Sequence, residues 1–487
     1  MSYQVPQHIA NSKVFLTNFS EVQGGRLDPV FVYSMKYKKK FNYPSKSLNK
    51  LVSFTTGGTP SKAKPEYWGG DIYWVSAKDF KSFYLDRAED TITELGLKNS
   101  SSKLIPDNSL LMVVRSGILR HTLPITINTC PVAINQDIKA LFVKNEQIES
   151  RYLGYFFDVF NKYVLSKVVK HSTTVQSVNT DELEKIEIPI PTKEIQLDIV
   201  NIMDSAYVQK HLKEQQAKEI LDSIDDYLLS ELGIERPSPI RTENGRFFYT
   251  SLKEVTGKRL DPLAYSEQAK LLKQSIISGI YSCSTLKSLI IQESAGDWGI
   301  DVTDDYDESI YSKCLVLRST EFNLYHNIVV DNSKAKYRLI SNRKLDSIDL
   351  QPNDLIIEKS GGSENQPVGR IAIITKNLYE RDRLCYSNFV QKIRLDNSQV
   401  IPTYACFFLR LVHNMRLTET MQSQTNGIRN LILSEYYNQQ IPVPPIERQK
   451  EIIYHIETLY NRAKQLQHEA TTILSNAKME IEQMILS

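Results

Sequence analysis

The chain has 487 residues, of which 41% are hydrophobic and 24% charged, and its formal net charge is +2. This length predicts two or three domains, and the balance of apolar and charged residues excludes a disordered protein. A nearly neutral chain is not expected to coat nucleic acid by charge alone, although local basic surfaces remain compatible with it.

Membrane-bound, secreted and zinc-binding classes are also disfavoured. The sequence has no run of about 18 apolar residues and no signal-peptide pattern at its N-terminus, so we expect a cytoplasmic protein that does not enter a membrane. Its five cysteines are widely spaced without a CxxC pair, which indicates reduced thiols and neither a disulfide frame nor a zinc site. Its eight histidines show no metal-ligand spacing, so we expect no metal on this chain.

The first distinctive segment is the loop "GGTPSKAKPEYWGGDIYWVSAKDF", residues 57–80. It lacks the GxxxxGK[ST] spacing of a phosphate-binding P-loop. We interpret it as framework, in which glycines and prolines set the turns while Trp68 and Trp74 pack. Lys62 and Lys64 remain as candidate DNA contacts.

Short apolar runs bounded by Pro, Asn, Asp and Gly predict strands at 109–114, 123–127, 354–358 and 370–375. Longer apolar stretches without breakers predict helices at 151–169 and 403–417. Together they predict a mixed α/β fold.

Two long helices are predicted after the proline-rich stretches that end at Pro191 and Pro444. Each carries apolar residues spaced by three or four, typical of a coiled-coil seam, and a polar run at 209–216 interrupts the first seam. A helix of about 40 residues is about 60 Å long and cannot bury its seam against one small domain, so each helix is expected to pair with the other. Gly233 is a predicted helix stop, and a linker is expected to follow it.

An internal repeat organises the chain. "EVQGGRLDP" at 21–29 returns as "EVTGKRLDP" at 254–262, and "IPIPTKEIQLDIV" at 188–200 returns as "IPVPPIERQKEII" at 441–453. Weaker correspondences lie between them, in the same order: "WVSAKDF" with "VLRSTEF", "VRSG" with "EKSG", and Asn135 and Lys139 with Asn388 and Lys392. The chain therefore contains two divergent copies of one module, at about 1–232 and 245–487.

The sequence offers little catalytic chemistry. It lacks the Asn/Asp-Pro-Pro-aromatic tetrad of DNA adenine and cytosine methyltransferases. The pair Asp107 and Asp137 with Lys139 satisfies the loose PD…(D/E)xK spacing of metal-dependent nucleases, but Val390 replaces Asp137 in the second copy. A stand-alone nuclease and a coiled-coil scaffold that does not touch DNA stay open as alternatives.

Basic residues in the loops of both modules are the candidate DNA contacts, because lysine and arginine bind phosphates and arginine also reads base edges. The candidates are Lys62, Lys64, Lys78, Arg115, Arg120, Arg318, Lys359 and Arg370.

The loop at 57–80, the paired proline-rich helix starts and "ILDSIDDYLLSELGI" at 220–234 resemble the specificity subunit of type I restriction-modification systems. The resemblance implies two mixed α/β target recognition domains joined by two long antiparallel helices that form a coiled coil. It implies that the chain is not itself an enzyme and reads a two-part target in double-stranded DNA. Two modification (methyltransferase) subunits and the restriction subunits are the implied partners, and they would carry S-adenosylmethionine, ATP and Mg²⁺.

With this resemblance we expect a first recognition domain at 1–190, a central helix at 191–232, a linker at 233–246, a second recognition domain at 247–440 and a C-terminal helix at 441–487. The second module departs from the first: "ESAGDWGIDVTDDYDESIYS" at 293–312 replaces the Gly- and Trp-rich loop. Unlike modules imply unlike half-sites, so the expected target is asymmetric.

Overall fold

The computed structural model describes Val32 and residues 39–144, 146–170, 175–238, 251–256, 262–323, 328–363, 366–425 and 428–486. The repeat segment at 21–29 lies outside these residues, as do 257–261 of its second copy and part of the predicted linker. The chain divides into unit 1, residues 1–215 with 466–487, and unit 2, residues 216–465.

The long helices are shared by both units, and the remaining elements belong to one unit each. The strands of unit 1 are β1 (Ser45–Ser47), β2 (Val52–Thr56), β3 (Trp68–Val75), β4 (Tyr84–Leu85), β5 (Asp90–Ile92), β6 (Lys103–Ile105), β7 (Leu110–Val113), β8 (Ile125–Asn128), β9 (Val132–Ile134), β10 (Ile138–Val143), β11 (Val169–Lys170), β12 (Ser177–Val178) and β13 (Glu187–Pro189). Its short helices are α1 (Leu48–Leu51), α2 (Glu94–Lys98), α3 (Ser150–Val159), α4 (Asn161–Val168) and α5 (Thr180–Glu184). The central helix α6 (Lys193–Leu232) follows.

The strands of unit 2 are β14 (Cys283–Thr285), β15 (Ile290–Ala295), β16 (Tyr311–Leu317), β17 (Tyr337–Ser341), β18 (Leu355–Glu358), β19 (Ser360–Gly361), β20 (Ile371–Ile373), β21 (Leu384–Tyr386), β22 (Val390–Leu395), β23 (Gln422–Thr425), β24 (Ile428–Leu431) and β25 (Gln440–Pro442). Its short helices are α7 (Leu252–Val255), α8 (Glu267–Ile277), α9 (Leu286–Leu289), α10 (Asn342–Ile348), α11 (Lys376–Arg381), α12 (Pro402–Asn414) and α13 (Leu433–Tyr437). The last long helix is α14 (Ile446–Ile485).

The same order of four strands occurs in one sheet of each unit, and unit 1 adds β4 at the edge of its sheet. One sheet of unit 1 has the order β2-β10-β7-β8-β4, and its counterpart in unit 2 has the order β15-β22-β18-β20. A second sheet holds a parallel strand pair in each unit, β3 with β9 and β16 with β21. The repeat seen in the sequence is thus a repeat of strand order, which confirms the mixed α/β prediction.

A buried helix packs against the first sheet of each unit. The apolar runs that predict helices form α3 with α4 in unit 1 and α12 in unit 2. The prediction of one helix over 151–169 was wrong, because the backbone leaves the helical conformation at Phe160, where φ is −92° and ψ is 23°. Asn161, at the start of α4, explains the interruption: its amide accepts from the N–H of Leu123 at 2.9 Å and donates to the Leu123 carbonyl at 2.7 Å, which ties the chain to the loop before β8.

The two long helices run antiparallel within each unit. In unit 1, Lys213 of α6 forms an ion pair at 2.7 Å with Glu469 of α14, and Ile199 shares a core with Ile481. In unit 2 the ring of Tyr227 stacks on His455 at 4.1 Å. The predicted seam is confirmed, because its apolar positions are buried or half-buried in both helices. Helix α6 ends at Leu232, and Gly233 adopts the left-handed φ of +63° that a helix stop requires.

The proline-rich starts of both long helices are built alike. The side chain of Gln196 donates to the carbonyls of Gln147 and Pro191 and accepts from the N–H of Glu149. Gln449 does the same with Gln399, Pro444 and Ile401. Each glutamine is almost fully buried and fastens its long helix to the N-terminus of α3 or α12.

Candidate nucleic-acid interface

The segment at 57–80, predicted as a loop, contains strand β3 and is fastened against β9. The backbone N–H of Gly58 donates to the Ile134 carbonyl at 3.0 Å, and the indole N–H of Trp74 donates to the Gly58 carbonyl at 3.0 Å. A Cβ on Gly57 would lie 1.8 Å from the Ile134 carbonyl oxygen, so only glycine fits this approach. Trp68 packs edge-on against Trp74, with 5.1 Å between ring centroids. The loop is therefore framework, as predicted, and its exposed lysines stand on a fixed base.

The three lysines of this segment are exposed but differ in their contacts. Lys64 donates to the Tyr67 hydroxyl at 3.0 Å, and this hydrogen bond raises its pKa. Lys78 pairs with Asp90 at 2.9 Å and Glu89 at 3.1 Å, contacts that raise its pKa as well. Lys62 has no polar partner among the described residues, which leaves its ammonium group available to an external anion.

Arg115 and Lys359 occupy the same place in the two units. Lys359 directly follows β18, and Arg115 is separated from the end of β7 by one residue; both strands are buried. The two residues lie in the aligned stretches "VRSG" and "EKSG", which begin the next turn. Arg115 forms an isolated β-bridge with Ser177 of β12, and the Lys359 carbonyl accepts from the N–H of Leu431 at the end of β24. Neither side chain has an ion-pair partner in the described part of the chain.

Each of these residues lies beside a small β-ribbon that carries a further basic residue. In unit 1 the ribbon pairs β11 with β12, so Lys170 lies opposite Ser177. In unit 2 the ribbon has the order β19-β24-β23, and Arg429 lies opposite Gly361. Sequence reasoning missed Lys170 and Arg429, because the strands that carry them, of two and four residues, are too short to leave a clear periodic signal.

The other predicted residues lie in different surroundings. Arg120 is exposed at the end of a 3-10 turn, Gly117–Arg120. Arg318 directs its Nε to the carboxylate of Glu321 at 3.0 Å and an Nη to the Lys334 carbonyl at 3.1 Å. The backbone N–H of Arg318 also donates to the Glu321 carboxylate, as the N–H of Ser76 donates to Asp79 in the matching 3-10 turn. This shared cap supports the correspondence of "VLRSTEF" with "WVSAKDF".

Arg370 is committed to the interior of unit 2. It makes two hydrogen bonds of 2.9 Å to Glu358, whose side chain is 1% exposed, and a third of 3.1 Å to the Phe322 carbonyl. Its donors therefore satisfy a buried carboxylate, and removing Arg370 would leave that charge uncompensated.

The residues of the nuclease pattern, Asp107, Asp137 and Lys139, are not part of a metal-binding cluster in the described part of the chain. Asp107 lies on an exposed turn before β7, and the ammonium of Lys139 lies 5.4 Å from the ring centroid of Phe54. Across the described ranges, no three His, Cys, Asp or Glu side chains are grouped where they could hold a metal.

Two copies of one α/β module that share two long antiparallel helices define a class of tandem-module proteins. The family model described as the type I restriction modification DNA specificity domain matches residues 41–222 and 315–473, more than half of the chain. The chain belongs to this family.

Relatives include specificity subunits of known restriction enzymes. That of EcoR124I/EcoR124II from Escherichia coli is 38% identical over 160 residues, which cover 33% of this chain and 39% of the relative. That of MjaIX from Methanocaldococcus jannaschii is 29% identical over 182 residues, which cover 37% of this chain and 41% of the relative. The chain thus matches about two fifths of the length of these relatives.

Solved structures that match this chain include one from a type I R-M system, with a TM-score of 0.49 and 13% identity over 92% of this chain and 97% of that one. The S subunit from M. genitalium has a TM-score of 0.42 and 13% identity over 93% of this chain and 99% of that one. Within the ranges that the structure describes, none of the helices combines the length and apolarity needed to cross a bilayer.

Proposed function

We propose that this chain is the DNA-reading subunit of a type I restriction-modification complex and that it recognises a bipartite, asymmetric sequence. One observation carries the proposal: the same strand order occurs twice in one chain, with different loops on each copy. Two readers with a common framework and unlike loops suit two unlike half-sites.

The contacts to DNA would come from basic residues beside the β-ribbons and from the loop at 57–80. Arg115 with Lys170, and Lys359 with Arg429, are the pairs that recur in the two units. Lys62 would add a phosphate contact in unit 1. Lys64, Lys78 and Arg120 stay candidates at the surface, whereas the contacts of Arg318 and Arg370 favour a supporting role.

We assign the proposed roles to the domains predicted from sequence. These are recognition domains at 1–190 and 247–440, helices at 191–232 and 441–487, and a linker at 233–246. The helices would set the spacing of the half-sites. Two modification subunits and the restriction subunits would bind the chain and supply the methylation, ATP-dependent and cleavage chemistry.

The proposal is tested by producing the chain with its modification partner in a methylation-free host and sequencing the methylated bases. We expect one motif made of two unlike parts separated by a gap of fixed length. A contiguous motif, or a palindrome with identical halves, would contradict the assignment of one half-site to each unit.

A further inference from the structure

Three polar side chains meet in unit 1 where α3 packs on the long helices. Asp158 of α3 accepts a hydrogen bond of 2.7 Å from the hydroxyl of Tyr207 on α6. Lys478 of α14 donates to the other carboxylate oxygen, also at 2.7 Å. The side chains of Asp158 and Lys478 are 19% and 31% exposed, so water screens this ion pair only in part. We call Asp158, Tyr207 and Lys478 the acidic triad, because Asp158 is its residue on the short helix α3.

Unit 2 has a triad of its own where α12 packs on the long helices. Arg410 of α12 donates to Asp225 of α6 at 2.9 Å, and its guanidinium carbon lies 5.5 Å from the ring centroid of Tyr460 on α14. Asp225 accepts a second hydrogen bond of 2.8 Å from Asn414. The Arg410 side chain is 4% exposed. We call Arg410, Tyr460 and Asp225 the basic triad.

The triads occupy corresponding positions of the two modules. Tyr152 and Tyr404 both donate to the carbonyl of the last proline in the strand before the long helix, and Asp158 and Arg410 each follow that tyrosine by six residues. Helices α6 and α14 have the same length, 40 residues.

Counted from the start of α6 and α14, Tyr207 corresponds to Tyr460 and Asp225 corresponds to Lys478. The tyrosine is thus kept, while both charges are reversed. A tyrosine serves either polarity, because its hydroxyl donates to a carboxylate and its ring face attracts a guanidinium.

We propose that this reversal is a pairing key: it favours the pairing of α6 with α14 and disfavours the pairing of either helix with the same helix of a second copy of the chain. If α6 paired with α6 of a second copy, the second copy's Asp225 would take the place of Lys478 and face Asp158. If α14 paired with α14, a second Lys478 would take the place of Asp225 and face Arg410. Both like pairings bring equal charges together at a partly buried site.

The apolar part of the pairing surface does not discriminate between the two helices, so selection rests on charged contacts: the key itself and the ion pairs of Lys213 with Glu469 and of Arg448 with Glu231. Outside the polar run at 209–216, the seams of both helices are apolar at most corresponding positions, and the glutamines at their starts make the same hydrogen bonds. Apolar seams of similar pattern pair with copies of themselves as well as with each other, and charged positions are what select one partner. The proposal concerns the assembly of the chain and does not depend on its binding DNA.

The test uses full-length chains in which both local ion pairs are kept and only their relative polarity changes. The variant Asp158→Arg with Lys478→Asp gives unit 1 the polarity of unit 2, so a second copy is no longer repelled. The variant Arg410→Asp with Asp225→Lys gives unit 2 the polarity of unit 1, which removes the same repulsion. All four changes together restore opposite polarities and serve as the matched control.

Two copies with different affinity tags are co-expressed, and the fraction captured together is measured at low and high salt, with thermal unfolding as the check on folding. We expect each two-residue variant to raise the co-captured fraction by about fivefold at low salt and the four-residue variant to return it towards wild type. High salt should reduce the difference. Folded two-residue variants with the wild-type fraction, or a four-residue variant that behaves like them, would overturn the proposal.

Discussion

Buried polar side chains fix the same junction in both modules. Gln196 and Gln449 each saturate their amide with two carbonyls and one N–H, and nearly complete burial means that no water replaces a broken hydrogen bond. The identity of these residues in the repeated segments is therefore explained by structure and requires no contact with DNA.

Basic side chains differ in what they are free to bind. A guanidinium that already satisfies a buried carboxylate, as in Arg370, cannot leave it without creating an unpaired buried charge. Arg115 and Lys359 have no such partner in the described part of the chain, and they lie at equivalent places. These two residues are the best single-site probes of the proposed interface.

We expect Arg115→Ala and Lys359→Ala, each in the complex with the modification partner, to weaken binding of the target by about three- to tenfold, because each removes one basic group that would bind a phosphate. The slope of log affinity against log salt should fall by about one in each variant, since one fewer phosphate is neutralised. Fluorescence anisotropy at several salt concentrations measures both quantities.

Lys185→Ala is the matched control, since Lys185 is exposed beside α5 and pairs only weakly with Glu182 at 3.3 Å. Its removal should leave affinity and salt slope unchanged. Equal losses of affinity in all three variants would show a general effect of net charge and not a local interface.

At the scale of elements, the polar run at 209–216 is the weakest part of the helical seam. Its residues are exposed or half-buried, whereas Ala206 and Ala217 on either side are buried. The ion pair between Lys213 and Glu469 identifies the stretch of α14 that faces this run. The helices can therefore be shortened together here with the removal of one small buried side chain, that of Ala470.

Deleting 212–215 together with the facing residues 467–470 removes about 6 Å from both helices, at 1.5 Å per residue. If the helices set the separation of the half-sites, the preferred spacer should become shorter by one or two base pairs, at about 3.4 Å each. Methylome sequencing of the variant complex reads the spacer directly, and an unchanged spacer in an active variant would refute the role of the helices.

For the whole molecule, a nearly neutral charge limits what the chain can do alone. A net charge of +2 supplies little nonspecific attraction to DNA, so a few local contacts must carry the affinity. We expect the purified chain to bind its target weakly and the complex with modification subunits to bind it specifically. Electrophoretic mobility shifts with target and scrambled duplexes make this comparison, and specific binding by the chain alone would contradict shared recognition.

Local patterns in the sequence were enough to predict the longer elements, the repeat and the family. Apolar runs, helical spacing and proline-rich boundaries are local signals, because backbone periodicity decides which side chains share a face. They predict β7, β8, β18 and β20, both long helices and the stop at Gly233. The packing of Trp68 and Trp74 was predictable from their size, since large aromatic side chains gain most from burial, although the structure places both on strand β3.

Which charged side chains are already paired, and with which partners, became known from the folded structure alone. Arg370 and Glu358 meet across neighbouring strands, and Asp158 meets Lys478 across 320 residues of sequence. Charge partners are chosen by distance in space, which no local pattern encodes, so arginines in similar loops receive unlike roles. The reversed triads are an example: the sequence shows four charges on four helical segments, and folding alone reveals that they form two pairs of opposite polarity.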